Sequence, residues 1–93
     1  MPNEQLSNAE IHEQAAQLTL WTLEDNKICR QFIFKDFVAA FNFMSKVADL
    51  AEQANHHPNW SNVYNKVDIA LTTHDYNSVS QRDFDLAKKI DQL

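Results

Sequence analysis

The amino-acid sequence predicts a single α+β domain over residues 1–93, a two-layer sandwich of helices on a sheet. Three observations support this fold class. Helix-like and strand-like segments follow one another in the order α-β-β-α-β-β-α. Each pair of strand-like segments is joined by a tight turn, which makes it an antiparallel hairpin, and hairpins with intervening helices form α+β sandwiches. The chain is also too short to form a second hydrophobic core.

A capping box opens the first helix, and a hairpin follows it. Ser7 and Glu10 occupy the cap and third helical positions, so the first helix is predicted from near Asn8 to about Leu18. The next segments carry alternating apolar and polar residues around a tight turn, which is typical of a hairpin. Its predicted strands cover residues 20–23 and 27–34, and its turn covers residues 24–26.

Two apolar stripes run along the second helix, which is predicted from a cap at Asp36 to about Asn55. The first stripe consists of Phe37, Phe41, Met44, Ala48 and Ala51, and the second of Phe43, Val47, Leu50 and Ala54. Two stripes cover more of a helix than one sheet face requires. A broad contact within one subunit would account for both. We favour the alternative that the first stripe covers the sheet and the second faces a partner subunit, because a small core benefits from extra burial.

A proline and a second capping box divide the second half of the chain. Pro58 restrains His57 to extended backbone, so the second helix must end by about His56, with Asn55 as a left-handed cap. The remaining predicted elements are strands over residues 60–63 and 67–74, a turn over residues 64–66, and a last helix that begins at the capping box of residues 80–83.

Composition excludes several functional classes. The chain has no glycine, so left-handed turns must use Asn, Asp or Ser, and a Gly-rich phosphate loop cannot form. The net charge is −5 without a basic cluster, which disfavours direct binding to nucleic acid. No apolar run is long enough to span a membrane, and no signal-peptide pattern opens the chain. The single cysteine, Cys29, excludes an internal disulfide and fits a reducing, cytoplasmic location.

Three histidines and a glutamate fall within residues 52–74. Imidazole changes charge near neutral pH, so such a group suggests acid–base chemistry or a metal site. Glu52 and His56 are four residues apart, which places both on one face of the last helical turn. There the carboxylate and the helix dipole favour the protonated imidazole. His57 points elsewhere, and His74 reaches the site only if the fold brings its strand end alongside.

Zinc binding and ordinary surface roles are the alternatives for these histidines. Adjacent His56 and His57 diverge in direction, and the chain offers no His-x3-His pair and no thiolate cluster, so no metal is predicted. A lone histidine is more often a helix cap or a surface residue, and we assign that role to His12 on the first helix. The clustering of the other three beside Glu52 favours a catalytic role for them.

Four spaced motifs surround the histidines. They are Glu52-x3-His56-His57-Pro58-x-Trp60, Val63-Tyr64-Asn65-Lys66-Val67, Thr73-His74 and Ser80-x-Arg82-Asp83. Together they resemble the pterin-4a-carbinolamine dehydratases, also known as dimerisation cofactors of a liver homeodomain transcription factor. The resemblance runs from about Trp21 to the C-terminus and includes residues 32–37.

The resemblance implies both a fold and a reaction. The fold is a four-stranded antiparallel sheet with three helices on one face. The reaction is that of a 4a-hydroxytetrahydrobiopterin dehydratase, a hydro-lyase that converts 4a-hydroxytetrahydropterin to quinonoid dihydropterin and water, without metal or cofactor, in tetrahydrobiopterin recycling. Family members form dimers or tetramers through helix packing. Some animal relatives also stabilise a transcription-factor dimer, so a transcriptional coactivator is the alternative function for this chain.

The resemblance also implies roles for individual residues. His56 and His74 match the catalytic acid–base histidines, and His57 matches a histidine that binds the pterin. The other implied substrate-binding positions are Glu52, Thr72, Thr73, Arg82 and Asp83, with the two threonines contributing main-chain groups. Loss of the 4a-hydroxyl requires a proton delivered to the leaving oxygen and another removed from N5. Two imidazoles in opposite protonation states can do both, and the sequence does not fix which does which.

Overall fold

The computed structural model describes residues 5–93 and has the predicted order of elements. The first four residues of the predicted domain lie outside the described part of the chain. The helices are α1 (Asn8–Gln17), α2 (Phe37–Ala54) and α3 (Gln81–Asp91). The strands are β1 (Thr22–Glu24), β2 (Lys27–Ile33), β3 (Asn59–Val63) and β4 (Lys66–Leu71), and a 3₁₀ turn covers His74–Tyr76. Within residues 5–93, no helix combines the length and apolar character needed to cross a membrane.

The strands form one antiparallel sheet in the order β1-β2-β4-β3, so the predicted fold class is confirmed. Side chains alternate between the faces of a strand, which places Val67, Ile69 and Leu71 of β4 on one face. These three residues are 0–1% exposed. The core cluster that they form includes a residue from each helix, for example Ile11, Val47 and Phe84. On the opposite face, Gln31, Ser61 and Asp68 are exposed, so within residues 5–93 this face is open.

Both predicted capping boxes are present. In α1, Ser7 Oγ accepts a hydrogen bond from the Glu10 N–H at 3.2 Å, and Glu10 Oε1 accepts one from the Ser7 N–H at 2.9 Å. These hydrogen bonds lower the pKa of the Glu10 carboxyl. In α3, Ser80 and Asp83 form the same reciprocal pair. The boxes satisfy N–H groups that the first helical turn leaves without intrahelical partners.

The turns use asparagine and aspartate in place of glycine, with one exception. The residues that follow the expectation, with their φ angles, are Asp25 (47°), Asn26 (65°), Asn55 (49°) and Asn77 (51°). Tyr64 also has a left-handed φ of 51°, although the expectation named only Asn, Asp and Ser. Asn62 Nδ2 stabilises this turn by donating to the main-chain oxygens of Tyr64 and Lys66 at 3.1 and 2.9 Å.

The predicted division of α2 into a sheet stripe and a partner stripe is wrong. Ala40, Val47 and Ala51 are 0–2% exposed in the core, so Val47 cannot face a partner subunit. The large apolar residues that α2 exposes are Phe37, Val38 and Phe41, at 47%, 66% and 54%. Successive helical residues are about 100° apart, and the centre of the buried face falls between the two stripes. Ala40, which belonged to neither stripe, marks that centre.

Candidate functional site

The site begins where α2 ends. Asn55 adopts the left-handed conformation, with φ 49° and ψ 43°, and caps the helix as predicted. Its main-chain N–H donates to the carbonyls of Ala51 and Glu52, and the N–H of His56 donates to Ala51 O at 3.0 Å. This left-handed exit turns the chain away from the helix axis. As a result, His56 no longer continues the helical face that carries Glu52.

His56 is directed into the protein and pairs with α3 rather than with α2. Its Nε2 lies 2.5 Å from Asp83 Oδ1, and the two residues are 8% and 0% exposed. Glu52 pairs instead with His57, through Oε2 and Nε2 at 2.6 Å, and both side chains are exposed. The expected contact of Glu52 with His56 is therefore wrong, because residues four apart meet only while the helical geometry continues.

Asp83 is the buried centre of a hydrogen-bond network. Its Oδ2 accepts from Thr73 Oγ1 at 2.8 Å and from the Ser80 N–H at 2.9 Å. Ser80 Oγ in turn lies 2.6 Å from Thr73 Oγ1. A buried carboxylate is tolerated when such hydrogen bonds replace those it made to water. Asp83 is fully buried, and its Oδ1 faces His56 Nε2 from the α3 side.

His74 lies on a loop rather than at a strand end. β4 ends at Leu71, so the predicted strand is three residues too long, and His74 begins the 3₁₀ turn as an exposed residue. A bridge between Thr73 and Ser78 closes this loop, with N···O distances of 3.0 and 3.4 Å. The left-handed Asn77 reverses the chain within it. The loop therefore has a defined shape that presents His74 close to the end of α2.

One cavity of about 340 Å³ connects these elements. The predicted site residues that line it are His56, His57, Thr72, Thr73, His74 and Arg82. The other two predicted residues do not line it: Asp83 lies behind His56, and Glu52 holds His57. The structure thus gathers all eight residues, with six at the cavity wall and two carboxylates that orient histidines.

The sequence did not reveal every residue of this site. Asn59 and Asp75 also line the cavity. Ser80 supports Asp83, although the sequence pointed only to its role as a helix cap. One signal was present in the second capping box, where the third position holds the shorter Asp83 instead of the usual Glu or Gln. That carboxylate caps α3 and still has an oxygen available for a second partner.

Cys29 lies outside the site, on the open face of the sheet. It lines a shallower concavity of about 530 Å³ together with residues from all four strands, and none of the lining residues is a histidine. Burial and, to a smaller extent, the negative charge of Glu24 raise the pKa of the Cys29 thiol. A protonated thiol is a poor nucleophile, so we assign no catalytic role to it.

Comparison with known proteins agrees with the resemblance. The family model described as pterin 4 alpha carbinolamine dehydratase matches residues 4–93. A protein of Prochlorococcus marinus strain MIT 9303, provisionally named pterin-4-alpha-carbinolamine dehydratase, is 53% identical over 88 residues, covering 95% of this chain and 92% of that protein. A protein of Picosynechococcus strain PCC 7002 with the same provisional name is 48% identical over 88 residues, covering 95% of this chain and 96% of that protein.

Two solved structures share the fold. A transcriptional coactivator/pterin dehydratase from Brucella melitensis has a TM-score of 0.89 at 41% identity, covering 95% of this chain and 96% of that one. A pterin dehydratase-like RuBisCO assembly factor of the alpha-carboxysome has a TM-score of 0.64 at 19% identity, covering 77% of this chain and 83% of that one, which shows the fold alone. By its family match and these relatives, the chain belongs to the pterin 4 alpha carbinolamine dehydratase family.

Proposed function

We propose that this chain catalyses the dehydration of 4a-hydroxytetrahydropterin to quinonoid dihydropterin, as a hydro-lyase in tetrahydrobiopterin recycling in the cytoplasm. The observation that carries the proposal is that His56 and His74, from separate elements, line one cavity together with His57. The cavity volume of about 340 Å³ is within the range of small-molecule sites. Membership of a family named for this reaction supports the same conclusion.

The proposed chemistry consists of two proton transfers on neighbouring atoms of the pterin. A protonated imidazole donates to the 4a-hydroxyl, the C4a–O bond breaks, and water leaves. A neutral imidazole removes the proton from N5, and the electron pair of that N–H bond forms the C4a–N5 double bond. The protein gains one proton as it gives one, so no cofactor is consumed. His56 and His74 are the two imidazoles that we assign to these steps.

The partner of each ring supports a distinct role. Asp83 occupies Nε2 of His56, so Nδ1 is the nitrogen left for exchange with the substrate. Glu52 holds His57 in an exposed position at the cavity, which suits contact with the pterin ring. Both main-chain groups of Thr73 are bonded to Ser78. We therefore assign main-chain contact with the pterin to Thr72 and a supporting role to Thr73.

The direct test is an assay of 4a-hydroxytetrahydropterin dehydration with the purified protein. We expect dehydration far faster than the spontaneous reaction, with saturation as the pterin concentration rises. Addition of tetrahydropterin lacking the 4a-hydroxyl should inhibit competitively, because it retains the ring contacts without the leaving group. A rate equal to that of the buffer alone would refute the proposed function while leaving the family assignment intact.

The reaction is expected to proceed without metal. Within residues 5–93, no group of three or more His, Cys, Asp and Glu side chains is arranged to hold a metal ion. Proton transfer by imidazole needs none. Exhaustive dialysis against EDTA should leave kcat unchanged, and the purified protein should carry no stoichiometric zinc. Loss of activity on chelation, with recovery when zinc is added back, would contradict this prediction.

We also propose that the chain is a homo-oligomer, held in part by the exposed apolar residues of α2. The exposed apolar cluster at the N-terminal end of the helix consists of Phe37, Val38 and Phe41, and the ring centroids of Phe37 and Phe41 lie 6.0 Å apart. Soluble monomers rarely leave such a cluster in water. Phe41→Glu is expected to lower the assembly state, because a carboxylate resists desolvation in an apolar interface.

Light scattering at micromolar concentration measures that state, with Asn42→Glu as the matched control on the same helix. Asn42 is already polar and exposed, so the control should assemble like the unmodified protein. A monomeric unmodified protein would show that the cluster is not an interface. Val47→Glu is not a suitable probe, because Val47 is 0% exposed and a charge there would disrupt the core.

A transcriptional coactivator is the second candidate function. The Brucella melitensis neighbour carries both descriptions in its name, and an exposed apolar cluster on α2 suits a protein partner. The net charge of −5 fits a coactivator that does not itself contact DNA. A cellular effect that is lost in Phe41→Glu and retained when His56 and His74 are both replaced would favour this role over catalysis.

A further inference from the structure

A chain of hydrogen bonds connects Ser80 to His56. Thr73 Oγ1 lies 2.8 Å from Asp83 Oδ2 and 2.6 Å from Ser80 Oγ. A carboxylate can only accept, so the Thr73 hydroxyl donates to Asp83 and accepts from the Ser80 hydroxyl. Asp83 Oδ1 then faces His56 Nε2 at 2.5 Å. Donors on one side of the carboxylate therefore determine the orientation in which its other oxygen meets the imidazole.

Thr73 also anchors the loop that carries His74. Its main-chain N–H donates to Ser78 O at 3.0 Å, and its carbonyl accepts from the Ser78 N–H at 3.4 Å. It directly precedes His74 and stands at the N-cap of the 3₁₀ turn. The residue is 2% exposed, and its hydroxyl is bonded to Asp83. A single residue thus connects the His74 loop to the buried carboxylate.

We propose that Thr73 is a positioning residue that sets the geometry between His56 and His74 through its side-chain hydroxyl. The inference rests on the proposed dehydratase function and deepens it. His56 is held from α3 by Asp83, and His74 is held by its own loop after β4. The hydrogen bond from Thr73 to Asp83 is a direct connection between these two supports. Two proton transfers on adjacent atoms require such fixed relative placement, because small displacements of reacting groups reduce rates steeply.

Three possible roles of Thr73 have different kinetic consequences. A positioning residue affects the transition state more than the bound substrate, so its loss lowers kcat and changes KM little. A residue that contacts the pterin would raise KM on removal. If Thr73 only fills space, its replacement should lower the stability of the fold. Serine and alanine at this position, which both lack the methyl group, would then give the same kinetic constants.

The experiment compares three variants of the full chain, Thr73→Val, Thr73→Ser and Thr73→Ala. Valine keeps the shape and removes the hydroxyl, and serine keeps the hydroxyl and removes the methyl group. We expect kcat to fall about 10- to 100-fold in Thr73→Val, with little change in KM, because a displacement of about 1 Å between reacting groups can cost about 100-fold in rate. Thr73→Ser should stay close to the unmodified protein. Thr22→Val, on the exposed edge strand β1, is the matched control and should have no effect.

A spectroscopic readout separates positioning from packing. The proton between His56 Nε2 and Asp83 should give a downfield proton NMR signal, which should shift or broaden in Thr73→Val and return in Thr73→Ser. If Thr73→Val does not fold, the serine and alanine variants differ only in the hydroxyl and provide the same comparison. Equal kcat and equal spectra for serine and alanine would overturn the proposal, as would a rise in KM without a fall in kcat.

The outcome for Thr73 can be told apart from failure of the proposed function. If the unmodified protein does not dehydrate the pterin, the proposed function is refuted by that measurement alone. The NMR comparison still applies, since the ring signals of both His56 and His74 should respond to loss of the Thr73 hydroxyl. If the signals of only one ring change, or those of neither, the coupling between His56 and His74 through Thr73 is excluded.

Discussion

Replacement of His56 or His74 by alanine is expected to lower the kcat of pterin dehydration by about 10²–10⁴-fold in each case. The reason is that each imidazole is assigned one of the two proton transfers, and alanine can neither donate nor accept. Both rings line the same cavity from separate elements, so neither can substitute for the other without moving the chain. The measurement is initial-rate kinetics with 4a-hydroxytetrahydropterin, corrected for the spontaneous reaction.

His12→Ala is the matched control for these two variants. His12 is exposed on α1, where its Nδ1 lies 2.7 Å from the Asn8 carbonyl, and it does not line the cavity. The same substitution there should leave kcat and KM unchanged. Circular dichroism should show that all three variants keep the fold. Near-normal kcat in a variant lacking both His56 and His74 would contradict the mechanism.

Local sequence signals predicted most of the fold. The capping boxes at Ser7 and Ser80 and the left-handed cap at Asn55 depend on residues within a few positions of one another, and all three are present. The stripes of α2 were harder to assign. Which part of an apolar helix surface is buried depends on how the helix lies on the sheet, and that is set by packing that no spacing rule contains.

The candidate site shows the same division between local and distant information. His56 and His57 were recognised as a pair, but their carboxylate partners were not. The sequence distance of four favoured Glu52 for His56, whereas the left-handed Asn55 redirects His56 to Asp83 on a helix 27 residues away. A contact across that distance arises from the packing of α2 on α3. It could be inferred from sequence only through the resemblance to a family.

Asp83 combines a local and a tertiary function in one carboxylate. As a helix cap it accepts the Ser80 N–H, and as a buried partner it holds His56. One oxygen, Oδ2, accepts from the Ser80 N–H, and the other, Oδ1, faces His56 Nε2. The stability of α3 and the orientation of the imidazole therefore depend on the same side chain. A substitution that tests how Asp83 orients His56 must therefore keep its hydrogen bond to the Ser80 N–H at the start of α3.

Asp83→Asn meets this requirement and is expected to lower kcat by about 10²–10⁴-fold, because it reverses the tautomer of His56. The Ser80 N–H and the Thr73 hydroxyl both donate toward one side of the side chain, so the amide oxygen of the variant must face them. Its NH₂ group then faces His56 Nε2, which has to accept. The proton of the neutral ring moves to Nδ1, the nitrogen that the proposed mechanism uses for the substrate.

The comparison variant is Asp85→Asn, which removes an exposed carboxylate two residues further along α3 and outside the cavity. It should retain the kcat of the unmodified protein. Nitrogen NMR of the His56 ring in Asp83→Asn reports the tautomer directly, independently of activity. A variant that keeps the original tautomer and a near-normal kcat would show that Asp83 serves only as a cap. The opposite result is a reversed tautomer with a large loss of kcat in a protein that still melts cooperatively. That result would show that the rate depends on how the buried Asp83 carboxylate orients the His56 imidazole.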